Sequence, residues 1–563
     1  MKKYFFFLII LTHSISAQYT NINIIKEIHT KDKGMVVCAH PLASEAGAKI
    51  LKMGGNAFDA TIATQFALAV VYPQAGNIGG GGFLIGYTNK GEKIALDYRE
   101  TAPKKASKDM YLDKNGNANT DLSQNGRLAV GIPGSVSGMY FTHQKYGKLP
   151  ISVLIQPAID LAEKGFAVTE REANLLNATK EDFLKHNSHQ TAFTKENPWK
   201  QGDILVQKEL ANTLKLIQKN GEKAFYEGKN AQLLVDEMKR GNGIISLEDL
   251  KNYKTKERRA FSFDYKNHEV ISMPLPSSGG TLLAQMLKMS SFENLEKYEQ
   301  NSPEALQIMV EAERRAYADR AEYMGDPDFI TDKTEMLISD KYLKDRWKNF
   351  SFEKATPSAE VGKIVNQPKE SEQTTHLSII DKYGNAVSVT TTLNGLYGSK
   401  VVVKGGGYFL NNEMDDFSVK PGVPNMYGAV GGEANSIAPN KRMLSSMTPT
   451  IVLKNGKPFI IVGTPGGTTI PTSVYQSIVN AIDFKLSPNF VINAPKFHHQ
   501  WLPEVVFVEK NFPQSTLKAL EQKNYKFEKR GGIGRTEMII IDEKGNAAAV
   551  ADGRGDDSVA VEN

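Results

Sequence analysis

The residue with the clearest chemical potential is a threonine at the junction between a polar segment and an apolar strand. Thr374 follows the polar residues 354–373 and opens a strand-like run. A threonine hydroxyl is a weak nucleophile unless a base takes its proton, and a chain-terminal threonine can use its own α-amine, whose reference pKa is about 7.7–8.0. Because Thr374 is internal, this chemistry requires cleavage of the Gln373–Thr374 bond, by attack of the hydroxyl on the preceding carbonyl. The alternative is an ordinary strand residue, since threonine is common in strands.

A pair of threonine hydroxyls lies at the end of the next predicted strand. Thr391 and Thr392 are adjacent, so in a strand their side chains point to opposite faces. If this strand pairs with the preceding one around the turn at 382–384, one of the two places a hydroxyl beside Thr374. Strand propensity alone is an equally good explanation of these threonines.

Amides and carboxylates are concentrated in the stretch LNNEMDDFSVKPGVPN, at 410–425. The polar residues in it are Asn411, Asn412, Glu413, Asp415 and Asp416. Such groups can hold a substrate ammonium. A calcium loop is a competing hypothesis, but the spacing lacks the alternation and the terminal glutamate of an EF-hand. A solvated acidic loop is the third possibility.

Two further stretches, KRMLSSMTP and VGTPGG, place hydroxyl groups and glycines beside predicted strands. Ser445 and Ser446 precede one strand, and Gly466 and Gly467 stand in a turn that leads from a strand towards a helix. Consecutive backbone N–H groups in such a turn can bind an anion or an oxyanion. No Lys-Ser/Thr pair follows these glycines, so a phosphate-binding P-loop is not expected.

No cofactor and no metal site is expected. The glycines at 79–82 lack the strand-before, helix-after context of a dinucleotide site. His498 and His499 are adjacent, so on a strand they point to opposite faces, and packed histidines near Trp501 are favoured over metal ligands. Cys38 is the only cysteine, which excludes an intramolecular disulfide, and its apolar neighbours favour a buried structural thiol.

The elements that must position these residues are mixed strands and helices without a regular βαβ repeat, which favours an α+β fold. The patterns predict helices at 41–53, 57–71, 303–324 and 471–483, with helices dominating 135–240. They predict strands at 35–39, 83–87, 93–96, 376–381, 386–392, 450–453, 459–462, 505–508, 537–541 and 547–551. Residues 354–373 are the most linker-like segment, and we expect this polar connection to be exposed.

The composition is globular and the chain begins with an export segment. Of the 563 residues 40% are hydrophobic and 23% charged, and a net charge of +5 is too small to indicate nucleic acid or an anionic membrane. Two lysines, an apolar run at 5–11 and small residues at 14–17 predict a secretion signal at 1–17. No later segment is long and apolar enough to span a bilayer, so we expect an exported protein, periplasmic or secreted, without a membrane anchor.

Taken together, these stretches resemble the γ-glutamyltransferase family, bacterial exported type. The similar motifs follow the family's order: PQAGNIGGGGF, LDYRE, TTHLSIIDKYGNAVSVTTTLN, LNNEMDDFSVKPGVPN, PNKRMLSSMTPTIV, GTPGG and NAPKFHHQWLPE. The resemblance implies an Ntn-hydrolase fold, a four-layer αββα sandwich. It also implies one intertwined domain made from a precursor that cuts itself into a large chain, 18–373, and a small chain, 374–563, which stay together as a heterodimer.

The resemblance implies a catalytic role for four residues and a site of cleavage. Thr374 matches the nucleophile, and Gln373–Thr374 matches the bond that is cut. Thr392 matches the threonine whose hydroxyl bonds the nucleophile. Gly466 and Gly467 match the backbone oxyanion hole.

The resemblance also implies how the substrate is held. Arg99, with the hydroxyls of Ser445 and Ser446, matches the group that binds the α-carboxylate of a γ-glutamyl compound, a task suited to guanidinium. The residues that match the α-ammonium site are Asn394, Glu413 and Asp416. Some bacterial members carry glutamine in place of Glu413, and either residue can accept from an ammonium. The segment KPGVPNMYGAVGG resembles a lid loop, with Tyr427 as its aromatic gate.

The implied activity is that of a γ-glutamyltransferase and glutathione hydrolase. Thr374 would form a γ-glutamyl ester from glutathione or another γ-glutamyl amide, and water or an amino-acid or peptide acceptor would resolve it. One alternative is a same-fold amidase, either a β-lactam side-chain acylase or a poly-γ-glutamate depolymerase. The retained Arg99, serine pair and lid-like loop argue against it. Another alternative is an uncleaved, exported ligand-binding relative.

Overall fold

The structure is a computed structural model that describes residues 22–362, 374–423 and 431–562. Three predictions lie outside the described residues: the secretion signal at 1–17, Gln373 at the cleavage point, and Tyr427 in the lid loop. Within the described ranges, no helix has the length and apolar character needed to cross a membrane.

Strands and helices are interspersed along the chain. The strands are β1 Glu27–Lys31, β2 Met35–Cys38, β3 Gly81–Tyr87, β4 Lys93–Asp97, β5 Phe166–Ala167, β6 Ile204–Leu205, β7 Lys256–Arg258, β8 Phe261–Tyr265, β9 His268–Ser272, β10 Thr375–Ile380, β11 Ala386–Thr392, β12 Thr450–Lys454, β13 Lys457–Gly463, β14 Phe497–His498, β15 Val506–Glu509, β16 Phe527–Arg530, β17 Glu537–Ile541, β18 Asn546–Ala551 and β19 Ser558–Val561. The helices are α1 Pro41–Lys52, α2 Ala57–Val71, α3 Thr120–Gln124, α4 Ser135–Tyr146, α5 Ile151–Lys164, α6 Glu170–Ala178, α7 Lys180–His186, α8 Lys208–Asn220, α9 Lys223–Tyr226, α10 Gly228–Lys239, α11 Leu247–Asn252, α12 Gly279–Ser290, α13 Pro303–Tyr323, α14 Thr334–Leu337, α15 Asp340–Trp347, α16 Ser358–Val361, α17 Thr469–Ile482, α18 Pro488–Asn493 and α19 Gln514–Glu521. The α+β prediction is confirmed, and the predicted strands and long helices occur close to their predicted positions.

Two seven-stranded sheets organise the described residues. One has the order β19-β2-β10-β11-β3-β4-β7, and the other has the order β1-β18-β17-β13-β12-β9-β8. Each sheet contains strands from both sides of the 363–373 segment, so the parts of the chain before and after Thr374 are interleaved in both. Strand β10 pairs with β2 and with β11, which puts the segment that begins at Thr374 in the centre of its sheet.

Alternate residues of the central strands enter different cores, as the two-residue period of a strand requires. One core lies between the two sheets and takes Val37 and Ile85 from one sheet and Ile461 and Ile539 from the other. Their neighbours along the strands, for example Leu84, face the helices that cover the outer faces. Burial on both faces explains why these strands appear in the sequence as continuous apolar runs.

One polar residue between the sheets helps to fix the strand that follows Thr374. His376 is fully buried, and its ring nitrogens lie 2.9 Å from Thr390 Oγ1 and 3.1 Å from Ser378 Oγ. Burial lowers the pKa of His376 to about 3, so the ring is neutral. A Cβ atom at Gly463 would lie 2.2 Å from this ring, so the opposite sheet can approach only because residue 463 has no side chain.

Three pairs of consecutive strands form hairpins. Strands β3 and β4 pair antiparallel, as do β10 with β11 and β12 with β13. Asn455 and Gly456 have φ angles of 52° and 72°, the positive values that a two-residue type I′ turn needs and that Asn-Gly supplies at low cost.

The linker prediction is wrong for part of its length. Within 354–362, Thr356 and Ser358 are buried and α16 packs against the body of the protein. Ser358 Oγ donates to the carbonyl of Trp501 at 2.7 Å and accepts from Arg314 at 2.7 Å. The segment is held by polar contacts, so it carries none of the apolar periodicity that marks a packed element in a sequence.

Candidate active site

Thr374 lines a small polar pocket and lies immediately before β10. Its side chain is 4% exposed. The space between its walls is about 340 Å³, part of it open solvent, so the pocket itself is small. The lining residues are Arg99, Arg320, Thr374, Thr392, Asn394, Glu413, Asp416, Ser445, Ser446, Met447, Gly467, Thr468 and Ile470. Eight of the residues singled out in the sequence, drawn from segments far apart in the chain, therefore meet at Thr374.

The register of β10 and β11 brings a second threonine to the nucleophile position. Thr375 pairs with Thr391, so the same register extended by one residue sets Thr374 opposite Thr392. Thr392 Oγ1 accepts the backbone N–H of Asn394 at 2.8 Å. Thr391 faces the other way and donates to the carbonyl of Gly81 at 2.8 Å. Of the two adjacent threonines, Thr392 is the one that lines the pocket.

A buried arginine that lines the pocket lies beside two carboxylates. Arg99 is fully buried, and its guanidinium donates to Glu413 through Nη1 and to Asp416 through Nη2. Its Nε donates to the carbonyl of Met443 at 3.3 Å, just before the serine pair. A third carboxylate, Glu100, lies 3.7 Å from Nη1. Arg99, which matches the α-carboxylate site, is thus paired with Glu413 and Asp416, which match the α-ammonium site.

Burial and charge oppose each other in this cluster. Burial lowers the pKa of Arg99, but Glu413, Asp416 and Glu100 raise it by more, so the guanidinium stays charged. Burial raises the pKa of Glu413 well above its usual range, and Arg99 counteracts only part of that. Burial also raises the pKa of Glu100 to about 7. Glu100 therefore holds a proton at a higher pH than an ordinary carboxyl group does, whereas Glu413 is bound directly to the guanidinium of Arg99.

The two serines are held by backbone contacts with the loop before α12. The N–H of Ser445 donates to the carbonyl of Pro276 at 2.8 Å, and the N–H of Ser278 donates to the carbonyl of Ser445 at 2.8 Å. The hydroxyl of Ser445 accepts the N–H of Met447 at 3.1 Å. This short ladder presents both serines to the pocket.

The glycine turn lies where the sequence predicts it, between β13 and α17. Gly466 and Gly467 have φ angles of 137° and 56°, values that glycine adopts readily and other residues rarely do. Gly467 lines the pocket beside Thr468, and Gly466 directly precedes it. The helix that follows adds the partial positive charge of its N-terminus to this side of the pocket.

Several candidates from the sequence take structural positions. Asn411 bonds the backbone of Gly79 and Gly131 through its amide, and Asp415 accepts from Ser123. His498 is buried and contacts Thr472 Oγ1 at 2.9 Å. No cluster of metal-ligating side chains occurs among the described residues. Cys38 is buried, and burial raises the pKa of its thiol to about 12, so it is an inert packing residue.

Two charged groups were missed from the sequence, Arg320 in the pocket and Glu100 beside Arg99. Arg320 lies on α13, whose charged stretch EAERRAYADRAEY has the composition of a solvated helix, yet its residues up to Arg320 are buried. Glu100 follows Arg99 directly and has no hydrogen-bond partner among the described residues. The available signal for Glu100 was its place in LDYRE, but nothing in the sequence shows that both neighbours are buried.

Glu100 should make the stability of the protein depend on pH. An unfolded glutamate titrates near 4.3, whereas burial raises the pKa of Glu100 to about 7. The folded state binds this proton more tightly, so the stabilisation is full below about pH 4 and is lost as the pH rises through about 7. We expect Glu100→Gln to abolish a fall of roughly 1–3 kcal/mol in the free energy of unfolding between about pH 5 and pH 8.

Denaturant unfolding of the wild type and Glu100→Gln at the two pH values measures this difference. Glu521→Gln makes the same change on the exposed side of α19 and serves as the matched control. A wild type and a Glu100→Gln variant with parallel pH dependence would contradict the assignment.

The two sheets and this pocket define an α+β protein with a small polar site that joins a threonine hydroxyl to a buried arginine–carboxylate cluster. The chain belongs to the Gamma-glutamyltranspeptidase family, whose family model matches residues 43–562. It is 46% identical over 531 residues to the Glutathione hydrolase proenzyme of Escherichia coli K12, covering 94% of this chain and 91% of that protein.

Two crystal structures show the same relationship. The cephalosporin acylase from Bacillus halodurans has a TM-score of 0.82 and 27% identity, covering 97% of this chain and 98% of that chain. The gamma-glutamyltranspeptidase of Helicobacter pylori has a TM-score of 0.56 and 46% identity, covering 57% of this chain and 93% of that chain. The sequence-based assignment to the γ-glutamyltransferase family is confirmed.

Proposed function

We propose that this protein is a self-processed γ-glutamyltransferase and glutathione hydrolase that uses Thr374 as its nucleophile. The observation that carries the proposal is the pocket itself. A threonine hydroxyl at a predicted cleavage point lies in the same small cavity as a buried guanidinium, two carboxylates and two serine hydroxyls. A γ-glutamyl compound has complementary parts, because its amide is separated by two methylenes from a free α-amine and α-carboxylate.

The proposed reaction begins with attack of the Thr374 hydroxyl on the carbonyl of Gln373, which shifts the acyl group from nitrogen to oxygen. Water then hydrolyses this ester, so Gln373 ends as a carboxylate and Thr374 carries a free α-amine and hydroxyl. That amine takes the proton of the hydroxyl, and Oγ attacks the γ-carbonyl carbon of the donor. The C–N bond then breaks, the leaving amine takes up a proton, and a γ-glutamyl ester remains on Thr374. Water yields glutamate, and an amino-acid or peptide amine yields a new γ-glutamyl amide.

The other residues have supporting roles in this proposal. Thr392 bonds the nucleophile, and the N–H groups of Gly466 and Gly467 stabilise the oxyanion. The groups assigned to the α-carboxylate are Arg99, Ser445 and Ser446. Those assigned to the α-ammonium are Asn394, Glu413 and Asp416. Binding at these groups orients the amide at Thr374, and such positioning can supply a large share of the rate.

We also propose the finer architecture that the family implies. Two sheets with one core between them and helices on their outer faces support a four-layer αββα sandwich. The match of a solved relative to only 57% of this chain, together with the name proenzyme among the relatives, supports a cleaved large chain, 18–373, and small chain, 374–563. The basic and apolar start of the sequence supports export to the periplasm or beyond.

An acylase is the second candidate, favoured by the TM-score of 0.82 to a cephalosporin acylase. That relative is 27% identical, against 46% for the glutathione hydrolase proenzyme. A side-chain acyl group without an α-amine would bring no ammonium to the carboxylates of the pocket. The pocket therefore favours a γ-glutamyl donor.

N-terminal sequencing and donor turnover test the proposal together. We expect two chains, one of which begins at Thr374. We also expect p-nitroaniline release from γ-glutamyl-p-nitroanilide to be much faster than its release from glutaryl-p-nitroanilide, and much faster than glutamate release from poly-γ-glutamate. Faster turnover of the glutaryl donor would favour the acylase. A single uncleaved chain that binds glutamate but turns over none of the donors would replace the proposal with a ligand-binding protein.

A further inference from the structure

We infer that Arg320 is a positioning residue for carboxylate recognition. It orients the hydroxyl of Ser446 towards the pocket. It also supplies a positive charge for the substrate carboxylate, since the charge of Arg99 is already paired with Glu413 and Asp416. The inference rests on the proposed function, because the carboxylate concerned is the α-carboxylate of the γ-glutamyl donor.

The contacts of Arg320 link three separate parts of the chain. It projects from α13, is 7% exposed and lines the pocket. Its Nε donates to Ser278 Oγ at 3.1 Å, and its Nη2 donates to Ser446 Oγ at 3.3 Å. It forms no ion pair with a carboxylate among the described residues, in contrast to Arg99.

These contacts leave the protons of the serine hydroxyls available for a ligand. A guanidinium has donors only, so Ser446 Oγ must accept from Arg320, which leaves the hydroxyl proton of Ser446 to donate elsewhere. Ser445 Oγ accepts the N–H of Met447 at 3.1 Å and is left with its proton in the same way. Two hydroxyls that accept from the protein and keep their own protons available can both donate to an anion.

Arg320 also braces the loop that carries the serines. Ser278 Oγ donates to the carbonyl of Ser445 at 2.8 Å, so its lone pair accepts from Arg320 while its proton holds the serine backbone. A single guanidinium is therefore bound to both members of the pair, directly at Ser446 and through Ser278 at Ser445.

Arg320 also attracts the substrate carboxylate through its charge. Glu413 and Asp416 compensate the guanidinium of Arg99 at hydrogen-bond distance. Arg320 has no carboxylate at hydrogen-bond distance among the described residues, so an incoming carboxylate is attracted to its side, where both serine hydroxyls can donate. Buried charge interactions are strengthened by the low local dielectric.

Donors with and without the carboxylate test this role. We expect Arg320→Gln to lower kcat/KM for γ-glutamyl-p-nitroanilide by about 10- to 100-fold, mainly through KM, as loss of a charge-assisted contact does. The 4-aminobutanoyl-p-nitroanilide donor keeps the amine but lacks the carboxylate, and its slow turnover should change less than about threefold. The inhibition constant of L-glutamate should rise in parallel with KM. Arg259→Gln makes the same change at an exposed position and is the control.

Equal losses on both donors would overturn the inference and leave Arg320 a purely structural residue. Arg320→Lys keeps the charge but cannot donate to Ser278 and Ser446 in the same geometry, so we expect an intermediate, carboxylate-dependent loss. If neither Arg320 variant folds, Ser278→Ala should give a smaller loss that is again confined to the donor with a carboxylate. An equal loss on both donors would contradict the proposed link from Arg320 through Ser278 to Ser445. Wild type that is neither cleaved nor active would instead remove the proposed function itself.

Discussion

Replacement of Thr374 by valine is expected to leave a single uncleaved chain that turns over γ-glutamyl-p-nitroanilide more than about a thousandfold more slowly than wild type. Valine has nearly the shape of threonine, so the strand start and the pocket are preserved while the hydroxyl is lost. Both proposed reactions need that one oxygen, first to attack the preceding carbonyl and then to attack the donor. Gel electrophoresis, N-terminal sequencing and p-nitroaniline release measure the two outcomes.

The adjacent residue provides a matched control. Thr375 is fully buried, and its hydroxyl has no hydrogen-bond partner among the described residues. Thr375→Val makes the identical change one residue later, on the face directed away from the pocket, and should leave cleavage and turnover intact. Thr374→Ser keeps the oxygen and should retain both reactions. Normal processing of Thr374→Val would place the nucleophile at another residue.

The sequence predicted the framework around Thr374 well because that framework depends on local signals. The hairpin of β10 and β11 follows from two β-branched runs around a short turn, and Asn455-Gly456 has a specific backbone conformation. The choice between Thr391 and Thr392 was open, since it depends on register, which pairing settles. The glycine turn before α17 was visible for the same local reason.

The electrostatic arrangement could not be predicted in this way. Arg99 and Glu413 are more than three hundred residues apart, and no periodicity reveals that they touch. Arg320 was missed because α13 is rich in charge, which in a sequence indicates a solvated helix. The tertiary structure reverses that expectation by supplying buried polar partners such as Ser278 and Ser446. Whether a charged residue can be buried depends on its polar partners. Partners that are distant in the chain leave no pattern in a single sequence.

Replacement of Arg99 by methionine is the second change with a large expected effect, on both stability and activity. Methionine fills a similar volume without charge, so Glu413 and Asp416 lose their guanidinium partner inside the protein. Removing one member of a buried ion pair typically costs about 3–5 kcal/mol in the free energy of unfolding. Loss of the carboxylate-binding group should also lower kcat/KM for the γ-glutamyl donor by about 10²- to 10³-fold.

A second substitution separates these two effects. In Arg99→Met with Glu413→Gln, one of the stranded carboxylates becomes neutral, so part of the lost stability should return while activity remains low. Arg315→Met removes another buried arginine, whose Nη1 lies 2.5 Å from Glu311, but this pair does not line the pocket. That control should lose stability with a much smaller change in KM.

The pattern of the three variants decides the role of Arg99. Denaturant unfolding gives the stabilities, and steady-state kinetics with γ-glutamyl-p-nitroanilide gives KM and kcat. If Arg99→Met lost stability but bound the donor as tightly as wild type does, Arg99 would be a structural counter-ion for Glu413 and Asp416 and the carboxylate would bind elsewhere. If Glu413→Gln restored no stability to Arg99→Met, the buried carboxylates would not be the source of the cost. A loss of binding that persists after stability is partly restored is the outcome that recognition of the α-carboxylate by Arg99 requires.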